Sequence, residues 1–249
     1  MINYIKSEFY RFQRSKLFFA TTGISLSLVI LASIALFYSL KADETFKYAN
    51  LEFYFANIIS FYIVIIFLAY AISSILAGKD LTIIRQSISF GISRKTIFFG
   101  KLIVSLSYFL ILGITLVISS MIIGNLLLEH HINSIFSDYL LALTNMLPLI
   151  VSSFILAYII HILAIKDIAN IAILILIYSI SGDIIKFISK SLPFISDSYK
   201  YFPSSILSTN FTNFASHKGV FLIEAWVVGI LLSIIYLIIG VFLFSKKDL

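Results

Sequence analysis

Six apolar runs separated by short polar segments dominate the 249-residue chain, covering approximately 17–40, 53–77, 102–124, 139–163, 168–185 and 220–244. Each comes close to the roughly 20 residues that a helix needs to cross about 30 Å of hydrocarbon. Unpaired backbone groups are costly in lipid, so such runs are expected to be helices, and the alternation typical of barrel strands is absent. The pattern predicts an all-α integral membrane protein, one transmembrane domain over 1–249 with six transmembrane helices. Basic residues precede the first run as they do in a signal peptide. Its length, about 24 residues, exceeds a signal h-region and no small-residue cleavage site follows, so it is expected to remain as a span.

Two segments outside the runs carry a helical pattern of their own. Ile2, Ile5, Phe9 and Phe12 recur at the spacing of one helix face, with Lys6, Arg11, Arg14 and Lys16 on the remaining surface. Two readings fit this pattern: an amphipathic helix lying flat in the inner headgroup layer, or a generic basic anchor for the first span. Between the second and third runs stands GKDLTIIRQSISFGISRKTIFFGK, Gly78 to Lys101, with six charged residues, five of them basic. Asp80 can cap a short helix in which Leu81, Ile84 and Ile88 share a face and Ile83 lies beside them. Gly91 suits the left-handed residue that ends such a helix, and Ser93 can cap the next, which continues through Lys101 into the third span.

Composition and charge orient this picture. A chain that is 60% hydrophobic and 12% charged is excluded from the ordinary soluble class. Twelve of the eighteen Lys and Arg fall before the first span, between spans two and three, between four and five, and after the sixth, with only Glu8, Asp80, Asp167 and Asp248 against them. Positive charge marks the cytoplasmic side, so both termini are expected there. The net charge of +6 is accounted for by topology and lipid, and no nucleic-acid partner is implied. Cysteine is absent, which removes disulfides and thiolate chemistry.

Candidate chemistry is sparse. A P-loop needs G-x-x-x-x-G-K-[ST]; Gly78-Lys79 and Gly100-Lys101 lack both the upstream glycine and the following hydroxyl, so no ATP site, cofactor or catalytic residue is expected in this chain. Glu129, His130 and His131 are read as an exposed loop, because adjacent histidines do not share a helix face. Asp183 is expected to pair with Lys186 one turn on, and His161 and Glu224 to snorkel near span ends. Asn210-Phe211-Thr212 matches the glycosylation pattern by chance. Ser60, Ser73, Ser105, Ser119, Ser152 and Ser153 suit close helix packing. The segment 186–219 carries Phe187, Phe194, Tyr199, Tyr201, Phe202, Phe211 and Phe214, broken by Pro193 and Pro203. It is expected to form short helices at the outer interface or dipping back into protein.

The amphipathic basic N-terminus, six spans with both ends inside, and FGISRKTIFFGKL after a cytosolic helix resemble the permease subunits of ABC-2 type bacterial exporters. The closest local likeness is Gly91, Ile92, Ser93, Arg94 and Lys95 followed by Gly100 and Lys101. Many relatives place a glutamate-and-glycine-rich sequence before this motif; here there is only Gly78, Lys79 and Asp80. The resemblance implies that the region 78–98 holds a coupling helix seated on a separate ATPase, which would bind ATP and Mg. Leu81, Ile84 and Ile88 would be anchors and Arg85 a charged contact, with Arg94 and Lys95 meeting the ATPase or lipid phosphates. The turn at Lys166 and Asp167 would be a second cytosolic contact. Pro193, Tyr201, Phe202, Pro203 and Phe211 would belong to outer re-entrant helices that close the exit. The resemblance also implies a second permease copy, identical or similar, in a bacterial cell membrane.

Few ionisable residues lie at mid-depth, so a pathway here is a poor route for ions or sugars and suits an amphipathic or lipid-like cargo. Among relatives of this size the cargo includes lantibiotics and phenol-soluble modulins. The rival readings are a lipid or small-drug exporter of the same family, and an ion-coupled transporter centred on Asp183.

Overall fold

The computed structural model describes residues 2–43, 46–77, 81–129, 131–191 and 197–247. Among them lie eleven α-helices: α1 (Ile2–Gln13), α2 (Lys16–Ala42), α3 (Leu51–Ser60), α4 (Tyr62–Ala77), α5 (Leu81–Ser89), α6 (Arg94–Leu127), α7 (Ile135–Ile162), α8 (Asp167–Ile175), α9 (Ser181–Ser189), α10 (Pro203–Ala215) and α11 (Ile223–Lys246). A π-helical turn, Leu176–Ile180, joins α8 to α9, and a 3-10 turn, Ser198–Tyr201, precedes α10. No β-strand occurs among the described residues, only an isolated bridge between Asn50 and Glu129. Asp80, His130, Pro193 and Phe194 lie outside the described residues.

Five helices are long and apolar enough to cross a membrane: α2, α6, α7, the continuous Asp167–Ser189 and α11. The chain is thus a multi-pass membrane protein. The second apolar run departs from the straight helix expected of it. It folds as α3 and α4, which meet the same test only together and are bent by 52°. Local polar chemistry accounts for the break. Asn57 Nδ2 donates to Phe53 O at 2.8 Å and Ser60 Oγ donates to Asn57 O at 2.9 Å, side-chain back-bonding of a kind that bends helices, while Phe61 N still donates to Asn57 O at 2.9 Å.

The core sits around α7, where 56% of the most apolar window is buried, against 6% for α2. α4 and α11 flank it, while α2 and α11 turn Phe19, Leu31, Ile234 and Ile238 outward, toward what is hydrocarbon in a membrane. Close approach of α11 depends on Gly229, where an added β-carbon would lie 2.6 Å from the Pro148 backbone.

Since lipid is as apolar as leucine, helices in a bilayer are held by packing and by polar contacts between them. Tyrosine hydroxyls supply several of these contacts. Tyr158 donates to Phe98 O at 2.6 Å, Tyr54 to Val29 O at 3.1 Å, and Tyr139 and Tyr178 bond Ser120 and Ser152 at 3.0 and 2.7 Å. Thr22 bonds Tyr108 between α2 and α6. Ser73, Ser105, Ser152 and Ser153 are buried as expected, whereas Ser60 and Ser119 are half-buried.

Gly229→Ala is expected to force α11 off the Pro148 backbone and to cost about 1–3 kcal/mol. Gly113→Ala, where nothing lies within 4 Å of the added carbon, should leave stability unchanged or slightly raised. Thermal unfolding of the two variants in detergent checks the contrast.

Candidate functional site at the end that gathers both termini

α1 docks on the bundle through a face that its apolar stripe only half describes. Tyr4, Ile5, Glu8, Arg11 and Phe12 face inward against α6 and α4, with Phe12 fully buried, while Ile2 and Phe9 remain 71% and 49% exposed. The Ile2–Ile5–Phe9–Phe12 stripe is therefore divided between two surfaces. Ile5 and Phe12 pack on protein, Ile2 and Phe9 point outward, and the helix is rotated to bring Glu8 inside.

Glu8 is the reason for that rotation. Its carboxylate, 2% exposed, lies 3.3 Å from the Nζ of Lys101, which is wholly buried and donates also to Leu76 O, at the end of α4, at 3.0 Å. Arg11 stands 3.4 Å from the same carboxylate. The Tyr4 ring packs against Gly100, whose missing side chain makes the room. Burial, then the Glu8 carboxylate, push the Tyr4 phenol well above its ordinary value, so it stays neutral. Gly100 and Lys101 are thus the seat of the N-terminal helix.

The strip after α4 forms helix, glycine stop, helix. Phe90 N and Ile92 N donate to Gln86 O and Ser87 O at 3.0 and 3.1 Å, and Gly91 takes φ +84°, the left-handed value that closes a Schellman-type end. Ser93 then caps α6 by accepting from Thr96 N at 3.2 Å. Leu81 opens α5. Ile84 is completely buried and Ile88 is half-buried against the core, so these two side chains hold α5 to its own protein and are not presented as anchors. What α5 displays instead is Ile83, Arg85, Gln86, Ser89 and above all Phe90, 85% exposed at the rigid tip, with Lys95 exposed nearby.

Arg94 does something else. Its guanidinium donates to Ser245 O and Lys247 O at 2.8 and 2.7 Å, tying the carbonyl end of α11 to the start of α6. That replaces the expectation of a lipid or partner contact for Arg94, and it satisfies carbonyls that a helix end leaves open. Lys247 reaches Ile162 O at 3.4 Å at the end of α7, and burial, then Arg85, lower its ammonium below the usual lysine value. Both described chain ends therefore meet at one end of the bundle, together with α5 and the turn carrying the exposed Lys166 and Asp167. His161, expected to snorkel, is buried, with Nδ1 3.0 Å from Ser73 Oγ and Nε2 3.9 Å from Asp167.

The opposite end is closed by α10. Pro203 starts it, buried; Phe202 and Phe211 are half-buried and Tyr201 is 60% exposed on the preceding turn. Asn145 donates to Asn210 Oδ1 at 3.0 Å and to Val220 O at 2.9 Å, and accepts from Leu222 N; Asn210 donates to Ala142 O. A buried, doubly engaged Asn210 is no glycan acceptor. Ser204 Oγ accepts from Gly182 N at 2.7 Å. Lys186 lies over the Tyr199 ring at 4.9 Å, and no ion pair joins it to the exposed Asp183 among the described residues, which corrects the pairing expected for them. His131 offers its backbone N–H to Glu52, and no group of three potential metal ligands comes together among the described residues.

No family model, no curated protein and no solved structure matches this chain.

Removing one member of the buried pair, Glu8→Leu or Lys101→Met, is expected to cost about 3–5 kcal/mol, while the double substitution recovers most of the loss. Thermal unfolding, with protease cleavage after α1 as the reporter of undocking, checks the pattern.

Proposed function

We propose that this chain is the membrane subunit of an ATP-driven exporter of the ABC-2 type, working in a bacterial cell membrane with a separate ATPase that binds ATP and Mg. The observation that carries the reading is α5, a short helix displayed beside both termini, fixed from behind by Ile84 and terminated rigidly at Gly91 so that Phe90 and Arg85 project. An exposed aromatic on a pre-ordered tip is what a docking anchor requires, because little entropy is lost when it is gripped. In this reading the bent pair α3–α4 counts as one passage, giving six, and the basic end faces the cytoplasm.

The motion delivered to α5 passes into α6 through the Ser93 cap and into α1 and α4 through Lys101. Lys166 and Asp167 form a second, smaller contact. A second permease copy, identical or similar, completes the transporter. The cargo is amphipathic, a peptide or a lipid-like compound, since the helices offer few groups that replace the water of an ion or sugar. The ion-coupled reading is less favoured: Asp183 is exposed and joined by no hydrogen bond or ion pair among the described residues.

Copurification with a P-loop ATPase, followed by Phe90→Asp and Arg85→Glu, tests the docking. Association and cargo-stimulated hydrolysis should fall while the thermal stability of the permease holds. Ile84→Asp, in contrast, should destabilise the permease itself, and Asp183→Asn should leave transport intact. Transport by this chain alone in liposomes would overturn the reading.

A further inference from the structure

His161 ends α7 with one ring nitrogen unused. It is 2% exposed, enclosed where α7 meets α4 and α8. Ser73 Oγ gives its single proton to Tyr70 O at 2.8 Å, so the same oxygen accepts the Nδ1–H of His161 at 3.0 Å. Nε2 is then a bare lone pair, and it has no hydrogen-bond partner among the described residues. What it faces is an anion. Asp167 Oδ1, on the first residue of α8, lies 3.9 Å away, beyond hydrogen-bond reach. One turn further along α8, the Oδ1 of the fully buried Asn170 also lacks a donor, while its Nδ2 reaches Ala157 O, one turn back on α7, at 3.4 Å. The α7–α8 seam thus gathers three acceptors, a lone pair, a carboxylate and an amide oxygen, and holds one proton too few.

A proton taken up at Nε2 reverses the sign of that encounter. The ring becomes a cation with a donor on each nitrogen; Ser73 keeps the first, and the Asp167 carboxylate stands before the second. Asp167 has room to answer, since its side chain is 79% exposed. From α4 the ring is met by Tyr70, 4.7 Å away, whose phenol is neutral in the range where imidazole titrates. The other charges at this end are engaged elsewhere. Lys247 of the α11 end reaches Ile162 O, Glu8 and Lys101 close on each other, and Lys166 points outward. Among the described residues, Asp167 is the charge that acts on the imidazole.

We propose that the α7–α8 corner is a proton-operated clasp, in which protonation of His161 draws the Asp167 carboxylate out of solvent onto Nε2 and seats the first turn of α8 on α7. The pair holds while the ring is charged and the carboxylate ionised. It is lost as pH rises through the imidazole titration, ordinarily at about 6.5, and again as pH falls through the carboxylate titration, ordinarily at about 4. A partner meeting this corner finds Lys166 and Asp167 together above the upper transition and Lys166 alone below it. The clasp rests on the geometry of the corner and survives failure of the exporter reading.

The chain has four histidines and no cysteine, so both ends of the clasp can be read without interference. His130, His131 and His217 are replaced by Gln to leave one imidazole, whose 15N shifts give its tautomer and charge in the full chain in detergent micelles. A nitroxide on Lys166→Cys reports the mobility of the turn by electron paramagnetic resonance. Between pH 8 and pH 5, His161 is expected to pass from the neutral Nδ1–H form to imidazolium, and the nitroxide to lose mobility with the same midpoint. Asp167→Asn and His161→Gln, the latter retaining a donor for Ser73, should each abolish the mobility step. A step of unchanged size in either variant would overturn the proposal. So would an imidazole that stays neutral down to pH 5, or one that charges while the turn keeps its mobility, and these two outcomes are read even if neither variant folds.

Discussion

Taking the ammonium of Lys101 and the carboxylate of Glu8 out of water together costs several kcal/mol per ion, and only close, multiply bonded geometry recovers it. The protein meets that condition by supplying a third group, the Leu76 carbonyl at the end of α4, and a neighbouring guanidinium from Arg11. The arrangement obliges α1, α4 and α6 to stay together, since a helix that left would strand a charge in a low-dielectric setting. Around this fixed point the remaining pieces of the same end find their places. Tyr4 lies on Gly100, α5 closes over Ile84, and Arg94 gathers the last carbonyls of α11. The polar end is therefore one connected body, although its parts come from residues more than 200 positions apart in the chain.

The apolar bulk obeys a different constraint. With no hydrophobic force to pull helices together in lipid, cohesion comes from small residues that let backbones meet and from hydroxyls that find partners across the seams. α7 carries much of this burden. It receives Gly229 at Pro148, lends Tyr158 to the backbone of α6 and Ser152 to Tyr178, and accepts α4 through His161. Tyr178 belongs to the π-helical turn, so the irregular step in the α8–α9 passage is bonded to the most buried helix.

Much of this was legible in the sequence, and the reasons for the rest are specific. Apolar runs mark membrane passages because lipid leaves the backbone no alternative, and Gly91 and Ser93 mark a helix stop and start because few other residues serve there. The bend at Phe61 was hidden, since hydropathy runs on without a break and only Asn57 and Ser60 hint at competing hydrogen bonds. Periodicity identified a stripe on α1 but assigned charge to the outside; a buried Glu8 is understandable only with Lys101, 93 residues later, in view. The same distance problem hid Arg94, whose acceptors lie about 150 residues on. On α5 the amphipathic face was read correctly as a face, yet a face that binds a partner and one that binds its own protein have the same pattern. Only burial separates Ile84 from Phe90.

The amide cluster at the far end carries its own implication. Asn145 holds Asn210, Val220 and Leu222 at once, and Asn210 returns a bond to Ala142. Neither amide can let go of one partner and keep a comfortable place among apolar neighbours, so gradual loosening is penalised at every intermediate step. Elements secured in this manner hold or part together, so α10, the middle of α7 and the chain leading into α11 behave as one piece.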